Sequence, residues 1–225
     1  MVIPHNLKPA DGRFGAGPSK VRAEALASLA GTGTAFLGTS HRQATVKDMV
    51  GRLRIGLRTL FELPDDYEVL LGNGGTTVLW DALVFGLIKA RSQHYVFGEF
   101  SQKFALCAQR APHLTEPDVV SSEPGTAPEL LPSDAADLYA LTHNETSTGV
   151  VMPVRRPSPG GLVAVDATSA AAGLRVNSKE FDFYYFAPQK GLASDGGLWI
   201  ALTSPRALER IEEITASERW VPASL

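Results

Sequence analysis

Two side chains in the second half of the sequence could do chemistry together, Lys190 and Asp166. Lys190 lies in the segment Ala-Pro-Gln-Lys-Gly (187–191), just after an aromatic strand pattern, where the neighbouring residues are mostly apolar. A single lysine at a strand end is more often a solvated surface residue. Asp166 ends the apolar run 161–165, and an acid in that place is usually a helix cap. Neither residue by itself identifies a site.

The two residues in combination indicate a particular chemistry. Open parallel sheets bind their ligands at the carboxyl ends of their strands, and both residues follow strand patterns of this kind. An amine there can form an imine with the aldehyde of pyridoxal 5′-phosphate (PLP). A carboxylate there can keep the pyridine nitrogen of that cofactor protonated, so that the ring accepts electrons. The pair therefore predicts a PLP site.

A glycine-rich segment could hold the phosphate of such a cofactor. Residues 72–77, Gly-Asn-Gly-Gly-Thr-Thr, join a strand pattern to a helical pattern. Backbone N–H groups, two threonine hydroxyls and the helix dipole can all face an anion there. The segment matches neither the dinucleotide-binding pattern nor the P-loop, and a glycine-rich turn with a threonine cap is an equally good interpretation. It supports a PLP site only together with Lys190 and Asp166.

The elements that must position these residues follow the pattern of a layered α/β domain. From residue 68 onward, short apolar runs alternate with helical patterns, which predicts a mainly parallel sheet. Seven strands are predicted, at Glu68–Gly72, Tyr95–Gly98, Asp118–Ser121, Asp137–Thr142, Gly161–Val165, Phe183–Phe186 and Leu198–Thr203. Helices are predicted at Thr76–Lys89, Ser101–Arg110, Ser204–Ser217 and, upstream, from Val46 to Phe61. The upstream helix is amphipathic, ends before Pro64 and is expected to serve packing alone.

Composition limits the classes of function. With 225 residues and 44% hydrophobic content, the chain can bury one sizeable core. The net charge of −3 gives no broad field that would attract nucleic acid or an anionic membrane, so neither is expected as a partner. A single cysteine, Cys107, excludes an internal disulfide. The first 13 residues lack the pattern of a secretion signal and no apolar run has the length of a membrane span. We expect a cytoplasmic protein.

Six ordered segments carry a resemblance to a known family. They are Phe14–Pro18, Ser40–Arg42, Gly74–Thr76, His143–Thr146, Val165–Asp166 and Gln189–Lys190. In this order they resemble the motifs of phosphoserine aminotransferases, which are fold-type I, class V PLP enzymes. The continuation Gly191–Trp199 is particularly similar to the actinobacterial-type branch. The resemblance spans essentially the whole chain. It implies a three-layer PLP-transferase large domain over residues 1–225, with an N-terminal arm of about 15 residues.

The resemblance implies which residues contact the cofactor ring. Lys190 would form the Schiff base with PLP, and Asp166 would be the partner of the pyridine nitrogen. Gln189 and Thr146 would hydrogen-bond the region of the ring hydroxyl. Phe100 would stack on the pyridine face, although a core phenylalanine is the alternative at that position.

The resemblance also implies how the two anions are bound. Gly75 and Thr76 would hold the cofactor phosphate. Arg42, with His41 beside it, would bind the substrate anion across a subunit interface, which implies a homodimer. From the residues alone, Ser40–Arg42 would be an exposed turn before a helix. Many relatives carry an arginine where this chain has Thr76, so substrate binding must depend on other residues.

The implied reaction is the reversible transfer of an amino group from glutamate to 3-phosphohydroxypyruvate. Its products are O-phosphoserine and 2-oxoglutarate, in serine biosynthesis. The family continues with an Asn-Thr pair and a small C-terminal domain that binds the substrate carboxylate. This chain contains neither, so we interpret it as a large-domain fragment that is not expected to be active alone.

Three alternatives remain at this point. Another class V transaminase, such as an alanine–glyoxylate type, would differ in its substrate. A cysteine desulfurase is disfavoured, because its nucleophile follows the lysine and Cys107 lies far upstream. A non-catalytic α/β module would bind some other phosphate in its glycine-rich turn and would form no bond with PLP.

Overall fold

A computed structural model of the chain describes residues 2–9 and 17–223. Five α-helices occur in it: α1 (Ala23–Thr32), α2 (Ala44–Leu60), α3 (Thr76–Gly86), α4 (Glu99–Gln109) and α5 (Pro205–Thr215). The strands are β1 (Glu68–Asn73), β2 (Ser92–Val96), β3 (Asp118–Ser121), β4 (Leu138–Thr142), β5 (Asn144–Glu145), β6 (Val150–Val151), β7 (Leu162–Asp166), β8 (Phe183–Phe186) and β9 (Leu198–Thr203). Within the described residues, no helix is long and apolar enough to cross a bilayer.

The main sheet is seven-stranded and mostly parallel, which confirms the predicted fold class. Its strand order is β1-β9-β8-β7-β4-β2-β3. Strands β3, β2, β4, β7 and β8 are mutually parallel, whereas β9 is antiparallel to both β8 and β1. Strand β1 therefore points the same way as the five parallel strands. Six strands thus end along one side of the sheet, which we name the carboxyl edge, and β5 and β6 form a separate hairpin beside it.

The central strands are buried on both faces because their sequences are apolar up to the last residue, which is Thr142 in β4 and Asp166 in β7. Every residue of β4, β7 and β8 is buried, as expected for inner strands of a parallel sheet. Helices α3, α4 and α5 cover one face, where Trp80 and Phe104 belong to a common core. The other face is covered by loops and by the C-terminal end of α2, through Leu57 and Phe61. One outer layer therefore consists mainly of helices, whereas the other consists mainly of loops.

Helix α2 forms where it was predicted, but most of its apolar surface is not covered by the described part of this chain. Leu57 is its only buried residue. Met49, Leu53, Ile55 and Leu60 expose between 37% and 65% of their area. Helix α1, which was not predicted, has no buried residue at all. The described chain therefore leaves an apolar surface on α1 and α2 uncovered.

Strand β2 begins earlier than predicted, at Ser92 rather than Tyr95, and stops before Gly98. Its first residues are polar, which hid the strand pattern, yet all of them are buried. Ser92 Oγ lies 2.9 Å from His94 Nε2, and Gln93 Nε2 donates to the backbone oxygen of Leu131 at 2.7 Å. These bonds satisfy some of the buried polar groups, whereas Gln93 Oε1 and His94 Nδ1 are buried without a partner among the described residues.

One carboxylate at the opposite side of the sheet should be a major source of stability. Asp137 accepts hydrogen bonds of 2.6 to 2.8 Å from the backbone N–H groups of residues 89–91 and pairs with Arg210 at 2.9 Å. We expect Asp137→Ala to lower the free energy of unfolding by about 1.5–3 kcal/mol, because three backbone N–H groups lose a charged acceptor. Urea unfolding measures this. The exposed neighbour Asp134 provides the control, and an equal loss in Asp134→Ala would contradict the prediction.

Candidate active site at the carboxyl edge

The topology brings the segments singled out in the sequence to one edge. The glycine-rich loop follows β1, Gly98 follows β2, and His143 follows β4. Asp166 ends β7, and Lys190 follows β8. The pairing of β7 with both β4 and β8 places Asp166 opposite Thr142 on one side and Tyr185 on the other. Residues distant in sequence thus share one side of the sheet because their strands run in the same direction.

Asp166 is a buried carboxylate with hydrogen-bond partners but no cationic one among the described residues. Its Oδ1 accepts from the backbone N–H of Thr168 at 2.9 Å and lies 2.6 Å from Thr168 Oγ1. Burial raises its pKa above the ordinary value, hydrogen bonds from Thr168 and Trp80 oppose that rise, and the charge of Glu145 adds to it. A cation bound beside this carboxylate would favour its ionised form. The surroundings therefore fit a protonated ring nitrogen.

The glycine-rich loop presents an uncapped helix end beside Asp166. Gly75 is the N-cap of α3 and supplies no capping side chain, and a Cβ there would meet no atom within 4 Å. Thr76 is buried, and its Oγ1 lies 3.0 Å from Thr168 Oγ1. Gly74, with a φ of +92°, donates its N–H to the oxygen of Gly197 at 2.9 Å. The loop is therefore joined to Thr168, which contacts Asp166, and to the segment after Lys190. It leaves room for an anion at the N-terminus of α3.

Gln189 and Lys190 are half-buried in the segment that follows β8. The backbone oxygen of Gln189 accepts from the N–H of Ser19 at 2.6 Å, and that of Lys190 accepts from the N–H of Ala193 at 3.0 Å. The side-chain Oε1 of Gln189 is buried without a partner. Buried polar atoms are normally hydrogen-bonded. This atom therefore fits a ligand that carries a hydroxyl or N–H group.

Thr146 and Phe100 lie at the same edge on two further elements. Thr146 is exposed in the turn between β5 and β6 and donates its hydroxyl to Ser169 Oγ at 2.8 Å. Phe100 lies in the first turn of α4 with 39% of its area exposed. The alternative that Phe100 is a core residue is therefore wrong. Its ring is available to a ligand, with Lys103 Nζ 5.6 Å from the ring centroid.

Two predicted site residues are not brought to the carboxyl edge within this chain. His41 and Arg42 are exposed in the turn before α2. The backbone N–H of Arg42 donates to Ser40 Oγ at 3.3 Å, and no described contact joins either side chain to Asp166 or Lys190. Residues 14–16 of the first motif lie outside the described part of the chain.

The sequence alone missed three residues that surround Asp166. Thr168 contacts its carboxylate, and the Trp80 indole donates to Tyr185 Oη at 3.0 Å close by. The spacing Asp-x-Thr was a usable sign, because an Asp side chain commonly bonds the backbone two residues on. Trp80 and Tyr185 lie in apolar runs that indicated only packing.

The sequence and the fold of the chain match a known class of enzymes. The profile of the class V aminotransferases matches residues 14–219, and the chain belongs to this family. It is 59% identical to a phosphoserine aminotransferase of a Nocardioides species, over 99% of this chain and 61% of that protein. It is also 59% identical to a putative phosphoserine aminotransferase of Mycobacterium leprae, over 99% of this chain and 60% of that one. These relatives confirm the resemblance found in the motifs.

A solved structure shows the same architecture. The phosphoserine aminotransferase of Cytophaga hutchinsonii superimposes with a TM-score of 0.84 at 26% identity, over 91% of this chain and 58% of that chain. The ureidoglycine–glyoxylate aminotransferase of Bacillus subtilis, at 19% identity and a TM-score of 0.78, shares the fold. The chain spans about 60% of the length of the curated relatives it matches.

Proposed function

We propose that the full-length protein is a PLP-dependent phosphoserine aminotransferase of the cytoplasm. It would transfer an amino group between glutamate and 3-phosphohydroxypyruvate, giving 2-oxoglutarate and O-phosphoserine. The observation that carries the proposal is the shared edge, where the end of β7 supplies Asp166, the segment after β8 supplies Lys190 and the loop after β1 supplies an open helix terminus. The identity of 59% to proteins named for this activity supports the choice of substrate.

Each part of the cofactor has a matching group at this edge. Lys190 would bind it covalently, and Asp166 would face the ring nitrogen. The N–H groups and hydroxyl at the start of α3, from Gly75 and Thr76, would bind the phosphate. Thr146 and the unpartnered Oε1 of Gln189 would hydrogen-bond the ring hydroxyl region, and Phe100 would cover one ring face.

Two residues of the chain, Lys190 and Asp166, would act on different protons in the reaction. When bound, PLP supplies an electron sink that stabilises negative charge at the substrate carbon. Lys190 Nζ would take the proton from that carbon and deliver it to the cofactor carbon on the other side of the transferred nitrogen. Asp166, held by Thr168, would keep the proton on the ring nitrogen by its negative charge. The buried position of Asp166 makes that charge effective because little water screens it.

The substrate anion would be bound by Arg42 and His41 of a second copy of the chain. Both residues are exposed and lie next to the uncovered apolar surface of α1 and α2. Burial of that surface against a second copy would form a homodimer and remove exposed apolar area from water. A guanidinium supplies a planar pair of donors for a phosphate or carboxylate.

Competition between amino donors tests the substrate assignment. With 2-oxoglutarate as acceptor, we expect O-phosphoserine to be used in preference to alanine. We expect Arg42→Ala to lower kcat/KM for O-phosphoserine about 50-fold while affecting alanine less, because a charge-assisted contact to phosphate is lost. Arg110→Ala removes the same charge at the exposed C-terminus of α4 and is the control. Preference for alanine would instead favour the alanine–glyoxylate type of enzyme.

A further inference from the structure

Glu145, in the hairpin beside the site, is a fully buried carboxylate with an unusual set of partners. It has 0% exposure and forms no ion pair with another described residue. Its Oε2 accepts from the N–H of Ser101 and lies near Ser101 Oγ, both at 2.9 Å. Its Oε1 accepts from Ser147 Oγ at 2.7 Å and from the N–H groups of Phe100 and Ser147 at 3.3 Å. Burial favours the protonated form, but these bonds outweigh it and lower the pKa of Glu145.

These bonds join two elements that are far apart in sequence. Residues 99–101 begin α4 after β2, whereas residues 144–147 form the β5/β6 hairpin after β4. An anion at a helix N-terminus is stabilised by the free N–H groups and by the helix dipole. The carboxylate therefore holds the backbone N–H of Phe100. Because Thr146 directly follows Glu145 in the sequence, the same bonds also restrict the position of Thr146.

Gly98 makes room for this carboxylate. A Cβ at position 98 would overlap the Glu145 side chain and would lie 2.5 Å from Ser147 Oγ. The backbone of Gly98 is extended, with a φ of 177°, a conformation that any residue can adopt. The requirement for glycine is therefore one of space. Gly98 and Glu145 form a complementary pair on two elements.

We propose that Glu145 is a positioning residue of the cofactor site, which joins the start of α4 to the β5/β6 hairpin and so fixes Phe100 and Thr146 before the cofactor binds. The inference rests on the proposed PLP site. Glu145 itself accepts only N–H groups and hydroxyls of the chain, so its role is to act through the two residues beside it. Preorganisation of this kind raises affinity because fewer groups must be ordered on binding.

The test is Glu145→Gln in the full-length protein. A glutamine has one acceptor oxygen and one NH₂ group in place of two acceptor oxygens. Its NH₂ group must therefore lie against N–H donors, either that of Ser101 or those of Phe100 and Ser147, and these donors lose their acceptor. We expect the Kd for PLP to rise about tenfold and the visible circular dichroism of bound PLP to weaken. Amide hydrogen exchange at residues 99–101 and 144–147 should become faster in the protein without PLP. Gly98→Ala should reproduce all three effects, because its methyl group displaces Glu145.

Asp137→Asn provides the matched control. It also changes a carboxylate that accepts backbone N–H groups into an amide, but at the opposite side of the sheet. It should lower stability and leave the PLP affinity and dichroism as in the wild type. Wild-type affinity and dichroism in Glu145→Gln, or an equal loss of both in Asp137→Asn, would overturn the inference. A wild-type protein that takes up no PLP would refute the proposed function, and the inference with it.

Discussion

Replacement of Lys190 by alanine is expected to slow amino transfer by about 10³-fold or more, since its amine is the group assigned to carry the proton. PLP should still bind without a covalent bond, because the loop at Gly75 and the carboxylate of Asp166 are unchanged. Single-turnover absorbance measurements with glutamate, on the full-length protein loaded with PLP, would give the rate of the chemical step.

Lys179→Ala is the control for loss of a lysine charge. Lys179 is exposed in the short 3₁₀ helix Ser178–Glu180 that precedes β8, away from the carboxyl edge. Its replacement should leave the rate within about twofold of the wild type, as usual for a surface substitution. Similar rates in the two variants would remove Lys190 from the reaction.

Asp166→Asn is expected to lower the rate of amino transfer by about 10²- to 10³-fold, the usual effect of removing one preorganised electrostatic group. The amide can still accept from Thr168, so the local structure should persist, but it carries no charge to hold a proton on the ring nitrogen. PLP should still become attached to Lys190. Steady-state kinetics with glutamate and 3-phosphohydroxypyruvate measure the loss, and turnover within a few-fold of the wild type would exclude the assigned role.

In the protein without PLP, Asp166→Asn should not be harmful but should favour the folded state, relative to the wild type, as the pH rises. Because burial raises the pKa of Asp166, the folded protein binds more protons than the unfolded chain between the ordinary pKa and the raised one. The stability of the wild type should therefore fall, relative to Asp166→Asn, as the pH rises through that window. Urea unfolding at about pH 4 and about pH 8 tests this. A stability difference that does not change with pH would contradict the assigned cause.

Much of the fold could be predicted from local sequence, and the exceptions have physical reasons. Strands such as β8 and β9 were predicted with the observed bounds because their apolar runs are continuous. Strand β2 was misplaced because it begins with three polar residues, all of which are buried. The strand order depends on contacts between distant segments, which periodicity does not encode. The uncovered surface of α2 was missed because an amphipathic pattern does not say which molecule covers it.

Only part of the site could be predicted from the sequence. Lys190 and Asp166 were noticeable because each is a charge in an apolar segment at a strand end. Gln189, Thr146 and Phe100 were assigned through the resemblance, since their types and spacing carry no special chemistry. Glu145 belonged to a motif, but its role depends on Ser101 and Phe100, which lie more than 40 residues earlier in the chain. Such a contact can be seen only when the fold is known.

Borohydride trapping tests the central claim most directly. The full-length protein is incubated with PLP, reduced with borohydride and digested, and the modified peptide is identified by mass spectrometry. We predict one pyridoxyl group, attached to Lys190, in the wild type and in Asp166→Asn. A label on another lysine, or no label on a correctly folded protein, would contradict the assignment of the carboxyl edge as a PLP site.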